Sequence, residues 1–374
     1  MRSFMKASTY QTFRSVIYRK RFRLAKQYCK AHRVPDISEE EKKEIDKYWK
    51  NFGIKIRDFS WFRMYYYITG LHDPRFVPDD IAGLVVYPYY NNDKYKFAWR
   101  DKCYFDRLLP DVPMPETVCK RIRGRLFYDN RYHTESESED CLARYLLDYC
   151  RKNACSLVVK PSKDTGLGKN VKKYAITLKE EAEELIKDWK SVKDFIVQRC
   201  IQQCPAMAFF NEDSTNMIRV YSWRHDDRVE ILSATVRAGI PGHVTDVAFV
   251  DGIETVHLVG ILPDGTVKNE MLNQDARLIW KWDDHFKLPS WEKIVSIVKT
   301  NHLYADNFDI IGWDFTIDNA EEPMCFEWNI VWPGTVFYQY TNGPFFGEYT
   351  DDVLAFLKEK EGQKKYLPFY MRAH

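Results

Sequence analysis

The sequence predicts an α+β protein in which two mixed lobes follow a helical segment. Three observations carry this. The first 75 residues hold helix-start and helix-stop signals and no strand pattern. From HDPRFVPDD (72 to 80) onward, short apolar runs alternate with amphipathic stretches, as in layered α and β structure. At 374 residues the chain exceeds what one hydrophobic core usually supports. The expected division is a helical cap over 1–75, a first lobe over 76–200 and a second over 201–374.

The elements follow in order. In the cap, SEEE at 38–41 forms a capping box of Ser38 and Glu41, and Gly53 and Gly70 stand where helices commonly end. Before it, Arg14, Arg19, Lys20, Arg21, Arg23, Lys26 and Lys30 interleave with Phe13, Val16, Ile17, Leu24 and Tyr28. Such a face either lies on an anionic surface or is a solvated flank over a packed stripe, and the second reading is preferred. The polar stretch NRYHTESESED (130–140) is expected as a loop. After it, EDCLARYLLDYCRKN reads as a helix and SLVVK as a strand. TLKEEAEELIKDWK reads as a helix capped by Thr177 and Glu180, and DFIVQRCI as a strand. Beyond residue 215, NMIRVYSW and VEILSATVRA flank the turn RHDDR and predict a β-hairpin.

Composition removes several classes. Lys plus Arg at 56 nearly balance Asp plus Glu at 54, so no global field points to nucleic acid. The nine cysteines show no CxxC and no zinc-ligand spacing, which favours free thiols in a reducing compartment. No long uncharged apolar run or signal-peptide core is present, and a cytoplasmic location is expected.

Near the C-terminal end, DIIGWDFTID and CFEWNI each place acids on an alternating strand. Alternation puts Ile311, Trp313, Phe315 and Ile317 on one face and Gly312, Asp314 and Thr316 on the other. In the second strand it puts Met324, Phe326, Trp328 and Ile330 opposite Cys325, Glu327 and Asn329. The turn-like link DNAEEP pairs the two, bringing Asp314 to Glu327 and Asn329. Crowded carboxylates on a half-buried sheet need a cation, and hard oxygen ligands suit Mg²⁺, although a polar outer row has the same spacing. Upstream, SLVVKPSKDTGLGKN sets Lys160 at a strand end before a Gly-rich loop suited to covering phosphate. It is neither a Walker A loop nor GxGxxG, since Val171 takes the third glycine position. Arg219 and Arg237 are lone arginines inside apolar strands, which call for anionic partners, either a ligand or a structural carboxylate.

Taken in order, HDPRFVPDD, DKCYFDRLL with PMPETV, LVVKPSKDTGLGK, FIVQRCI with CPAM, STNMIRVYS, IGWDFTID and CFEWNIVWPG resemble the ATP-grasp superfamily over roughly residues 70 to 345. The resemblance is nearest to the sugar-transfer associated branch found with bacterial surface polysaccharide genes. It implies two lobes clasping ATP. Lys102 and Lys160 would hold ATP phosphates, with the loop carrying Gly166, Gly168 and Lys169 closing over them. Gln198 and the backbone at Arg199, Cys200 and Ile201 would line the adenine hinge. Arg219 and Arg237 would stand at the reacting phosphoryl group. Asp314, Glu327 and Asn329 would be the metal ligands, Glu327 bridging two Mg²⁺ ions. One departure is visible: where an Asp-Asn pair and a Gly-Gly are expected after the second arginine, this chain has Thr245, Asp246 and Gly252.

The activity so implied is ADP-forming ligation of a carboxylate to an amine through an acylphosphate, on a capsule or other surface-glycan precursor. The expected partners are ATP with small-molecule or sugar substrates and no nucleic acid. The basic N-terminal helices would supply any peripheral membrane or glycosyltransferase contact. A kinase on the same fold is the alternative, and a catalytically inactive glycan-binding protein using its eleven Trp and 24 Tyr is a further one.

Overall fold

The helix Glu39–Asn51 starts where the sequence says it should. Ser38 Oγ accepts from the Glu41 N–H at 3.1 Å and Glu41 Oε2 accepts from the Ser38 N–H at 2.6 Å. The next helix, Ser60–Thr69, stops at Gly70, whose φ of +70° lies in the left-handed region that a side chain would strain. The computed structural model describes residues 23–133, 139–163, 170–250 and 253–359. Arg14, Arg19, Lys20 and Arg21 therefore lie outside the described residues, while Arg23, Lys26 and Lys30 are exposed and Lys26 pairs with Asp58 at 2.6 Å. Trp49, Trp61 and Tyr65 are fully buried in one core with Tyr338, Phe345 and Leu354 from the other end of the chain. Gln339 fastens the two ends: its Oε1 accepts from the Val77 N–H at 2.8 Å and its Nε2 donates to the Val77 carbonyl at 2.9 Å.

The first sheet has six strands: β1 (Thr117–Ile122), β2 (Arg125–Tyr128), β3 (Arg131–Tyr132), β4 (Leu157–Pro161), β5 (Lys172–Tyr174) and β6 (Phe195–Arg199). Their order is β3-β2-β1-β6-β4-β5, with every pairing antiparallel. The helices Glu139–Asn153 and Lys179–Trp189 cover one face, burying Leu142, Leu146 and Leu185 against Leu157, Val159 and Val197. Two expectations are corrected here. Arg131 and Tyr132 are not loop but an edge strand, where Tyr132 faces Phe127 and takes the Arg125 guanidinium over its ring at 4.8 Å. The second helix is capped by Glu181 rather than Glu180: the Glu181 carboxylate accepts from the N–H groups of Thr177 and Leu178, because Leu178 is the cap residue and the third helical position falls one later.

The second sheet has seven strands in the order β13-β12-β11-β8-β7-β14-β15, again antiparallel throughout. They are β7 (Met217–His225), β8 (Arg228–Ala238), β11 (His257–Ile261), β12 (Glu270–Asn273), β13 (Leu278–Lys281), β14 (Ile310–Ile317) and β15 (Pro323–Asn329). A separate hairpin is made by β9 (Ala248–Val250) and β10 (Ile253–Thr255). One face of the large sheet packs on the helix Trp291–His302, burying Ile218, Val236, Ile311 and Trp313. The other face is shared. At one end it meets the N-terminal helices through Tyr221 and Ile310, and at the other it turns a set of charged side chains toward the first sheet.

Candidate active site

Register builds the floor of the site. Asp314 pairs with Arg219 across β14 and β7 and with Glu327 across β14 and β15, while Gly312 pairs with Asn329 and Met217 pairs with Arg237. Directly opposed residues share a face, so Arg219, Arg237, Asp314, Glu327 and Asn329 all project to the same side. Gly312 keeps that floor open. A Cβ there would come within 3.0 Å of Pro333 and Tyr221 and 3.3 Å of Arg219 Cδ.

The floor is closely charge-compensated. Arg219 and Asp314 are both 5% exposed and form a two-pronged pair, with Nη2 to Oδ2 at 2.6 Å and Nε to Oδ1 as the second bond. Burial works against the Arg219 charge, but Asp314 holds the guanidinium fully protonated. Arg219 Nη1 also donates to the Pro333 carbonyl at 3.0 Å, and Asn329 Nδ2 donates to Asp314 Oδ2 at 3.1 Å. Arg237 lies 3.0 Å from Asp246 through Nε, without the alignment of a hydrogen bond. Burial raises the Asp246 carboxyl and Arg237 pulls it back. Asp246 thus occupies the point where the family pattern departs, and its signal was a lone acid in the apolar run VTDVAFV, the same kind of signal that marked Arg219.

Two lysines approach this floor. Phe105 stacks on Trp328 at 4.0 Å and Trp328 Nε1 donates to the Trp99 carbonyl at 2.7 Å, which docks the 99–105 segment against β15. Lys102 is thereby brought to Glu327, Nζ to Oε2 at 2.9 Å. Burial alone would push Glu327 up, yet Lys102, then Lys160 and Arg219, reverse it and hold the carboxyl down at about 2. Lys160 comes from β4 in the first sheet. Burial, then the nearby Lys102 cation, lower it to about 8, with Glu327 acting in the opposite sense. Its ammonium sits 5.5 Å from the centre of the Phe326 ring.

Phe326 marks a correction. The strand β15 does not alternate evenly, because the register slips between Asp314 and Phe315, leaving Phe326 as an extra residue opposite no partner. The bulge inverts the faces on its far side. Cys325, expected beside Glu327, is buried in the apolar core opposite Phe315, and Phe326, expected in the core, lines the cleft. Trp328 and Ile330 remain core residues as expected.

At the far end of the cleft lies the crossing from β6 to the second sheet. Gln198 is buried and its Nε2 donates to the Pro115 carbonyl at 3.2 Å. The Arg199 N–H donates to Glu116 and the Cys200 N–H to Ser156, at 2.9 and 2.8 Å. Both are therefore committed, whereas the Ile201 N–H has no partner among the described residues. Gly166, Gly168 and Lys169 lie outside the described residues.

The space confirms that these groups are neighbours. A cleft of about 120 Å³ is lined by Lys102, Lys160, Gln198, Ile201, Asp314 and Glu327 together. Past the crossing, Arg199, Cys200 and Ile201 also line a cavity of about 960 Å³. At the other end, Lys102, Asp246, Asp314 and Glu327 also line a second cavity of about 920 Å³, which includes Arg219, Arg237 and Asn329. In donor type, two hard carboxylates in register and an amide suit Mg²⁺, although both Asp314 oxygens accept from Arg219 and Glu327 Oε2 is paired with Lys102, so an ion there would share or displace those partners. Among the described residues no group of three His, Cys, Asp or Glu side chains stands close enough together to hold a metal ion.

A mixed α and β chain whose two antiparallel sheets face each other across a lysine- and acid-lined cleft has an ATP-grasp fold. Residues 182–352 match the family described as sugar-transfer associated ATP-grasp. A search of curated proteins returns no match. Among solved structures, similarity is found to the D-cycloserine synthetase DcsG (15% identity, TM-score 0.43, covering 72% of this chain and 73% of that one). It is also found to the D-alanine-D-alanine ligase from Coxiella burnetii (9%, TM-score 0.40, 72% and 60%) and to the ATP-grasp ligase PsnB complexed with minimal precursor (12%, TM-score 0.38, 71% and 63%). The chain spans less than two thirds of the last two. No helix among the described residues is long and apolar enough to cross a membrane.

Proposed function

We propose that this chain is an ADP-forming ATP-grasp ligase that joins a carboxylate to an amine, acting on a capsule or other surface-polysaccharide precursor. The observation that carries this reading is the cleft in which Lys102 and Lys160 meet Asp314 and Glu327, adjoining through Lys102, Asp246, Asp314 and Glu327 the cavity lined by Arg219 and Arg237. ATP runs from the crossing at Ile201, whose N–H is the free backbone donor for adenine, to the two lysines, which take the phosphate oxygens. A carboxylate oxygen of the acid substrate attacks the γ-phosphorus, ADP departs, and an acylphosphate forms. The amine nitrogen then attacks the acyl carbon, phosphate leaves with the C–O bond electrons, and the nitrogen loses a proton. Alignment in one cleft and charge stabilisation are the parts that the protein supplies.

Asp314, Glu327 and Asn329 would hold Mg²⁺, which when bound would neutralise phosphate charge. Arg219 and Arg237 face the reacting phosphoryl group and, being paired to Asp314 and Asp246, are already oriented before substrate arrives. The test is phosphorus NMR with Mg²⁺-ATP and pools of sugar acids, amino acids and amines. ADP with inorganic phosphate only when acid and amine are both present is the expected result. A new phosphorylated species without matching free phosphate would replace the ligase by a kinase.

A further inference from the structure

The cavity of about 920 Å³ beyond the charged floor has a wall that phosphoryl chemistry does not use. The helical stretch 23–31, which lies outside the family match, crosses it and contributes Leu24, Gln27 and Tyr28. Gln274 and Asp275, in the turn between β12 and β13, and Trp332, after β15, line it as well. Tyr28 is held on two sides: its ring stacks on His32 at 4.1 Å and its hydroxyl donates to the Asp275 carbonyl at 3.3 Å. The Tyr28 ring is half-buried.

A fixed aromatic ring offers a flat apolar face at little entropic cost. Flat rings bordered by amide and carboxylate groups match the two surfaces of a pyranose, its C–H face and its equatorial hydroxyls. A volume of this size lies in the range of small-ligand sites.

We propose that this cavity seats a saccharide ring of the substrate against Tyr28 and Trp332, which makes the N-terminal helix a specificity wall of the site. The assignment rests on the ligase reading for the neighbouring phosphate end, and the experiment separates the two. The full chain is loaded with Mg²⁺ and a non-hydrolysable ATP analogue. Saturation-transfer NMR is then recorded with glucuronate, glucosamine and glucose, and with acetate and ethanolamine as charged controls that lack a ring.

Ring protons of at least one sugar receive saturation, and Tyr28→Ala weakens that sugar roughly threefold to tenfold while analogue affinity stays unchanged. Leu24→Trp, at a position 44% exposed and able to accept a larger side chain without repacking the core, blocks the sugar by filling the cavity and keeps the test valid if Tyr28→Ala does not fold. Preference for glucuronate assigns the sugar to the acid partner, and preference for glucosamine to the amine. An analogue that binds with no sugar binding, or controls that compete as well as sugars and ignore both variants, overturns the saccharide site. Failure of the analogue itself to bind overturns the nucleotide reading instead.

Discussion

Lys160 is a cation in surroundings that oppose its charge, and this gives the site a measurable pH dependence. Its pKa falls from 10.5 to about 8, so above about pH 8 the folded protein loses a proton that the unfolded chain keeps. Two consequences of opposite sign follow. Affinity for Mg²⁺-ATP falls as pH rises through about 8, since the phosphate then meets a neutral amine, and calorimetry across pH 7 to 9 checks it. The empty protein gains stability between about pH 8 and 10.5, because the unfolded state there binds more protons, and denaturant titrations check that. An affinity that stays flat over this interval would take Lys160 out of the phosphate site. Glu327→Ala is expected to abolish turnover with the fold retained, and also to lower the Lys160 titration further, since one of its compensating anions is lost. Turnover that persists would remove Glu327 from the metal set. At this scale much was legible: lone charges inside apolar strands marked Arg219, Arg237, Asp314 and Glu327. Their pairing was not, because Arg219 to Asp314 and Arg237 to Asp246 depend on which strands become neighbours.

Among the elements, β14 is tied to its neighbours on the core face by a buried polar contact. Trp313 Nε1 donates to Ser222 Oγ at 2.8 Å, and Ser222 in turn meets His302 Nδ1 at 2.7 Å. His302 Nε2 donates to the Phe308 carbonyl at 2.9 Å, and burial lowers this imidazole to about 3, so it stays neutral and its Nδ1 accepts from the serine. Ser222→Ala leaves an indole N–H and a ring nitrogen unpaired in the core and is expected to cost about 1–3 kcal/mol by chemical denaturation. A loss below a few tenths of a kcal/mol would mean that the network relaxes freely. The strands themselves were readable from alternation, and the β7–β8 hairpin came from its turn residues. The bulge at Phe326 was not, since a period of two carries no mark of the place where an extra residue is tolerated. The cap of the helix Lys179–Trp189 was misplaced by one residue for a related reason: Thr177 and Leu178 both offer N–H groups, and only backbone geometry chooses Glu181.

At the scale of the molecule, the N-terminal helices and the last described segment share one core. Trp49, Trp61, Phe62, Tyr340, Phe345 and Phe346 are buried together. A chain starting at Phe76 exposes that core face and is expected to lack a cooperative melt and to aggregate on size exclusion, even though the cleft residues remain. A soluble, cooperatively folded truncation would show the helices to be an independent cap. On the proposed reading Mg²⁺-ATP would bridge the two sheets, and at a hundredfold excess over its dissociation constant it is expected to stabilise the intact chain by about 2.7 kcal/mol, read as a rise in melting temperature.

What the sequence by itself determined is the set of charged residue types at the cleft and the strands that bear them: acids and arginines on alternating faces, a lysine at a strand end, a helical start. These are local properties, set by side-chain period and capping over a few residues. Only the tertiary structure decided that Lys102 reaches Glu327, that Asp246 answers Arg237, that Phe326 leaves the core, and that Tyr28 walls a cavity whose floor lies some 200 to 300 residues further along the chain. Those outcomes depend on sheet order, on one bulge and on the packing of the chain's two ends, and none of these is specified by spacing along a single strand or helix.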